Sequence, residues 1–231
     1  MSNNFWCWPL RSSKYVQEAV RNCQNRLKEN YSGEYELISN APNSFPLGYE
    51  PEMGVFTSLS PDEASYYETI IGVMRWMVEL GRFDIDVEVL QLSFFLAMTL
   101  KVHMVSACHI MSYLSIRLNY RLFLDPSYAD INLSEFKSED NCTAFYGYTK
   151  EAKPHNSPKP LGKKIELIIF VDSKHAGDKT NRRSHTDYMV FMNISMIYWH
   201  TKKQATVKGA VFGAEFVSMK QGVEALCVIR Y

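Results

Sequence analysis

The hydrophobic pattern of this 231-residue chain changes its period near residue 165, and that change restricts the fold more than any other feature. From residue 60 to about 118 the apolar residues recur at helical spacing. Beyond 165 they form short β-like runs. Ile165-Glu166-Leu167-Ile168-Ile169-Phe170-Val171 reads as a buried strand that ends at Asp172. Tyr188–Met192 and Met196–His200 read as two strands around Asn193-Ile194-Ser195, a hairpin, with Lys202-Lys203-Gln204 leaving the second strand. Val211 to about Val228 then reads as a helix, with Phe212, Phe216, Met219 and Val223 at helical spacing and Glu215 near its start. A run of helices followed by a run of strands indicates an α+β chain.

The helical part has clear local signals. Ser12-Ser13-Lys14-Tyr15-Val16 opens a helix through about Leu27, serine being a reasonable N-cap, with Tyr15, Ala19 and Val20 on one face and Gly33 as a stop. Residues 40–61 contain Pro42, Pro46 and Pro51, which forbid a continuous helix. Ser60-Pro61-Asp62-Glu63 combines a cap, a first-turn proline and a capping-box glutamate. The helix it opens runs to Gly81. Two more are expected, from Asp84 to about Met98 and from about His103 to Leu118. Leu122-Phe123-Leu124 reads as a short strand. The organisation expected is a tail helix and proline-containing connector over 1–59, a helical subdomain over 60–125, a linker over 126–163 and a second domain over 164–231.

Composition excludes several classes. Hydrophobic residues make up 46% of the chain and aromatics 13%, which suits a packed core rather than a disordered polymer. The five cysteines lack C-x-x-C spacing, so neither a zinc site nor a disulfide framework is indicated. The N-terminus has no signal-peptide pattern, and Val89–Leu100 is too short to span a bilayer, so a soluble intracellular protein, cytoplasmic or nuclear, is expected without membrane association. Net charge is zero, yet residues 1–149 carry −7 and residues 150–231 carry +7. An anionic partner for the C-terminal part is one explanation; two solvated surfaces of unlike composition are the other.

Several motifs occur together and in order. They are Ser13-Lys14-Tyr15-Val16-Gln17-Glu18-Ala19-Val20, Tyr49-Glu50-Pro51-Glu52, Tyr66-Tyr67-Glu68-Thr69-Ile70-Ile71-Gly72 and Arg75-Trp76-Met77-Val78-Glu79-Leu80-Gly81-Arg82-Phe83-Asp84-Ile85. Later come Phe170-Val171-Asp172-Ser173-Lys174-His175-Ala176-Gly177, Arg182-Arg183-Ser184, Tyr198-Trp199 with Lys202-Lys203-Gln204, and Phe212-Gly213-Ala214-Glu215-Phe216. In this order the chain resembles part of a copia-type retrotransposon Pol polyprotein, from the end of the reverse transcriptase into the ribonuclease H domain. The resemblance implies a thumb-like helical subdomain followed by an incomplete ribonuclease H-like α/β domain.

It also implies a site. Asp172 and Glu215 match two of the carboxylates that hold Mg²⁺ or Mn²⁺ in complete members, where the metals promote cleavage of RNA in an RNA–DNA hybrid. The third carboxylate of the family would lie beyond Tyr231, and no Tyr-x-Asp-Asp polymerase motif is present, so the chain alone is expected to be catalytically weak or inactive. Lys174, Asp187 and Gly209 depart from the family's usual residues. Arg182, Arg183, Lys202 and Lys203, with Tyr198 and Trp199 nearby, are candidates to grip the phosphates of a hybrid; a solvated hairpin face is the alternative. Further readings are a non-catalytic nucleic-acid binder and a transposon relic that binds a partner, including the remainder of a polyprotein. His175, His185 and His200 are expected at the surface or half-buried, and Glu79, Asp84, Asp86 and Glu88 as helix-end and exposed charges.

Overall fold

The structure, a computed structural model, describes residues 7–31, 33–46, 49, 56–130, 155–159, 162–178 and 180–230. Most of the expected linker and connector, including residues 131–154, 47–48 and 50–55, lies outside them.

Four helices form one layer. They are α1 (Ser13–Asn30), α2 (Pro61–Glu79), α3 (Asp86–Ser93) and α4 (Lys101–Ile116), with a 3₁₀ turn, Phe83–Ile85, leading into α3. The start of α2 follows its sequence signals. The Ser60 hydroxyl accepts from the Glu63 backbone N–H, and the Glu63 carboxylate accepts from the Ser60 N–H at 2.7 Å. Glu63 is itself buried, and its Oε1 accepts a 2.8 Å hydrogen bond from the Tyr35 hydroxyl. The buried stripe of α1 is Val16, Val20, Cys23 and Leu27, which leaves Tyr15 and Ala19 at its margin. That stripe packs with Tyr67, Ile70, Ile71, Met74 and Met77 of α2 and with Met104, Ala107, Ile110, Met111 and Leu114 of α4. The core is thus built by all four helices, not by the three of residues 60–118 alone.

The second of those helices is shorter than its apolar pattern predicts. After Ser93 the backbone continues in i→i−3 turns, such as Phe94 N–H to Gln91 O and Phe95 N–H to Leu92 O. The Ser93 hydroxyl donates to Val89 O at 2.6 Å, a bond that competes with regular helix. The two phenylalanines that follow are held by tertiary partners: Phe95 stacks on His103, and Phe94 lies against Lys203 and His185. Tertiary packing overrides local propensity here.

The C-terminal sheet has the order β3-β4-β5, from β3 (Leu167–Lys174), β4 (Arg183–Met192) and β5 (Ser195–Val207), all antiparallel. The expected hairpin is present, with its turn at Asn193-Ile194; Asn193 takes the left-handed conformation (φ 56°) that suits asparagine in such turns. Lys202, Lys203 and Gln204 do not leave β5 but continue it, because each pairs or bonds across β4. β3 pairs only with β4, so its other edge is open among the described residues. A small second sheet joins β1 (Trp8–Leu10) to β2 (Leu122–Leu124), a long-range pairing that no local signal in Trp8-Pro9-Leu10 announces. The hairpin tip is anchored to the segment after β2: Ser195 Oγ donates to Asp125 O and accepts from Asp125 N–H, both at 2.7 Å.

The helix α5 (Val211–Arg230) packs on β3 and β4. Its contact stripe is small, Ala214, Ser218 and Gly222. A Cβ on Gly222 would lie 2.8 Å from Val171 Cγ2 and 3.0 Å from Ile169 Cδ1. No helix among the described residues is long and apolar enough to cross a membrane.

Two glycines give a paired test. Gly222→Leu is expected to lower the stability of the chain by about 1–3 kcal/mol through overpacking. Gly72→Ala, at a helical position that meets nothing within 4 Å, is expected to raise it by up to about 1 kcal/mol. Urea midpoints with unchanged slopes are the measurement; equal effects would contradict this packing of α5.

Candidate functional site

Strand alternation sorts the candidate residues onto two faces of the sheet. Ile169 and Val171 point at α5, and so does Thr186, which lies opposite Ser173. Between the sheet and α5 a buried polar group ties the elements together. Gln204 Nε2 donates to Thr186 Oγ1 at 3.1 Å and to Ala214 O at 3.0 Å, and Ser218 Oγ donates to Thr186 Oγ1 at 3.0 Å. Glu215 follows Ala214 on this helix and is half-buried, between exposed Phe212 and Phe216.

Asp172 belongs to the opposite face. It is exposed, and its cross-strand neighbour is Asp187, which in turn lies opposite Thr201 of β5. The sheet therefore stands between the Asp172 side chain and the helix that carries Glu215. The two carboxylates do not form a closed ligand set for a divalent ion, and no group of three or more His, Cys, Asp or Glu among the described residues is arranged to hold a metal.

Asp172 instead borders an acidic cluster that the sequence did not reveal. The face of the sheet that carries Asp187 and Thr201 is approached by α3, whose first residue is Asp86. Burial pushes the Asp187 carboxyl above the ordinary carboxylate range; the Thr201 hydroxyl opposes this, the Asp172 charge adds to it, and Lys174 opposes it again. Asp86 is also raised, by burial first, with Thr201 opposing and Asp187, Glu79 and Glu88 adding. Asp187 Oδ1 is buried without a hydrogen-bond partner. Beside the cluster a cleft of about 420 Å³ is lined by Arg75, Glu79, Asp86, Tyr198, His200 and Thr201 among others. Glu79 is an exposed helix-end charge as expected, whereas Asp84, Asp86 and Glu88 are partly buried. Asp84 is paired with buried Arg82 through two 2.8 Å bonds, and Glu88 accepts a 2.6 Å bond from Ser44.

The four cations divide as well. Arg182, Arg183 and Lys202 are exposed, Arg182 with a left-handed backbone (φ 58°). Lys203 is withdrawn: its ammonium is paired with buried Asp178 and sits 3.7 Å from the centre of the Phe94 ring. Burial pushes the Asp178 carboxyl up, but Lys203 and the backbone N–H groups of Asn181 and Thr180 outweigh it, so the net shift is downward. His185, expected at the surface or half-buried, is 6% exposed and stacks on Phe94. Burial, with Lys203 and Lys174 nearby, lowers its pKa. His200 is lowered too, by burial and Lys202. His175 is half-buried, with Nε2 3.1 Å from Lys208 O.

Asp187 comes beside Asp172 through the β3–β4 register; the expected strand began at Tyr188, so this neighbour was not legible in the sequence. Nor was Asp86, because its place depends on how α3 docks on the sheet.

Two measurements test these assignments. A carboxyl raised on folding opposes stability as pH rises above its unfolded value, so Asp187→Asn is expected to raise the thermal midpoint at pH 7 and to lose that advantage below about pH 4. For Asp178 the sign is reversed, since its folded value is depressed: the stability it provides is present at neutral pH and is lost as pH falls through that value. Asp178→Ala, which leaves Lys203 without its counter-charge, is expected to cost about 3 kcal/mol at pH 7 by denaturant titration.

Comparison with known proteins gives one relative. The chain is 22% identical over 207 residues, 90% of its length, to a retrovirus-related Pol polyprotein from transposon RE1 of Arabidopsis thaliana. The aligned part is 12% of that polyprotein. No protein-family model matches the chain, and no solved structure matches it. The chain is therefore similar, along nearly its whole length, to one section of a retrotransposon Pol polyprotein.

Proposed function

We infer that this chain is a section of a copia-type retrotransposon polyprotein, from the end of the reverse transcriptase through a thumb-like helical layer into a ribonuclease H-like domain. Its ancestral chemistry is cleavage of RNA in RNA–DNA hybrids, and the section is catalytically incomplete on its own. The observation that carries the reading is the order strand–hairpin–helix, with Asp172 on β3 and Glu215 in the first turns of α5, inside a likeness to a Pol polyprotein that covers 90% of the chain. Incompleteness rests on geometry. The sheet stands between the two carboxylates, and Lys174, whose charge a divalent ion would have to overcome, lies two residues from Asp172 on the same face. A partner strand on the open edge of β3 is one route by which the remainder of a polyprotein would complete the domain.

A second reading is non-catalytic binding of nucleic acid. It is favoured by Arg182, Arg183 and Lys202, which remain solvent-exposed near one end of the sheet, where Arg183 pairs with Val207 and Lys202 with Thr186. Lys203 has no part in it, because Asp178 neutralises its charge.

Incubating the purified chain with a labelled RNA–DNA hybrid and Mg²⁺ or Mn²⁺ separates the readings. Little or no cleavage is expected; robust cleavage abolished by Asp172→Asn would overturn the inactivity. Hybrid binding at low salt is expected to weaken steeply as salt rises, and replacing Arg182, Arg183 and Lys202 by Ala is expected to flatten the salt slope by about one unit per lost phosphate contact. Replacing the internal pair together, Lys203→Met with Asp178→Asn, should leave that slope unchanged.

A further inference from the structure

The outward surface of α5 is apolar over four turns. Phe212 is 80% exposed, Phe216 53%, Met219 52% and Val223 49%. Their spacing of four, three and four residues is the d-a-d-a pattern of a coiled-coil seam, and half-buried Leu226 continues it at the next d. The neighbouring stripe of the helix, Ala214, Ser218 and Gly222, is already used against β3 and β4, and the exposed seam residues lie outside that contact. Large apolar side chains aligned on one exposed face usually mark an interaction surface.

The charges beside the seam choose the occupant. In this register Glu215 takes a g position and Lys220 the e position five residues later. In a parallel pair of identical helices a g residue of one lies beside that e residue of the other. Glu215 of each copy would then meet Lys220 of its partner, twice across a twofold axis. Lys220 is exposed and 3.6 Å from Glu224, a loose intrahelical pair with both side chains about two-thirds exposed. An antiparallel pairing would instead place g beside g and e beside e, setting like charges together.

We propose that α5 is a self-association helix. Two copies of this chain dock in parallel through Phe212, Phe216, Met219 and Val223, with reciprocal Glu215–Lys220 ion pairs fixing orientation and register. A closed twofold contact of this kind uses the same patch on both copies. The proposal is independent of the catalytic reading, since it concerns association and not cleavage.

Sedimentation velocity of the full chain across micromolar concentrations, at about 0.15 M salt, tests it. A reversible monomer–dimer equilibrium is expected. Phe216→Asp should raise the dissociation constant at least about tenfold, with circular dichroism unchanged. Should that variant fail to fold, charge exchange at the surface takes its place: Lys220→Glu weakens the dimer and Glu215→Lys with Lys220→Glu restores it. Orientation is read by Met219→Cys in a background with Cys7→Ser, Cys142→Ser and Cys227→Ser, which is expected to give a covalent dimer on mild oxidation, since d positions face each other only in the parallel arrangement. A chain that stays monomeric, association indifferent to Phe216→Asp and to both charge variants, or failure of the Met219→Cys cross-link would each overturn the proposal.

Discussion

The contact on which the arrangement depends is the one around Lys203. Its ammonium is held by Asp178 from the β3–β4 loop and covered by the Phe94 ring from the end of α3, while its cross-strand neighbour His185 of β4 stacks on the same ring. One cation thus joins the loop, two strands and the helical layer. A buried charge tolerates this only when fully compensated. The same contact explains why α3 stops at Ser93 and why β5 does not stop before Lys202.

Around this joint the sheet is divided between two partners. One face takes α5, through small residues that allow a close approach. The other takes the helical layer, with Trp199 near Phe83 and Asp86 near Thr201. The division separates Asp172 from Glu215 and puts Asp172 beside Asp187, which in turn faces Asp86. What the sequence pairs by motif, the fold separates by the thickness of a sheet, and what it scatters over more than a hundred residues, the fold collects.

Local signals carried the elements well. The Ser60 capping box, the Asn193 turn and the apolar seam of α5 all lie in short stretches whose physics is complete within a few residues. Failures came where distant groups decide. Phe94 and Phe95 read as helix until their partners Lys203 and His103 are known. Trp8-Pro9-Leu10 is a strand only because Leu122–Leu124 lies beside it. Lys203 reads as a phosphate grip by charge and position, and becomes an internal cation because Asp178 reaches it. Of the proposed site, the exposure of Arg182, Arg183 and Lys202 was legible, whereas Asp86 and Asp187 needed the register and the docking of α3.

The hairpin tip has a consequence for the order in which the molecule assembles. Asp125 and Ser195 are bonded across 70 residues of chain. Closing a loop of that length costs roughly 4 kcal/mol of chain entropy, and at the tip itself it is offset by hydrogen bonds at Asp125–Ser127, Asn193 and Ser195. The helical layer and the β3–β5 sheet with α5 are each knit by nearer neighbours. Units joined by near neighbours are expected to form before a pairing of this range, and amides at this joint are expected to exchange through partial opening while the cores on either side stay closed.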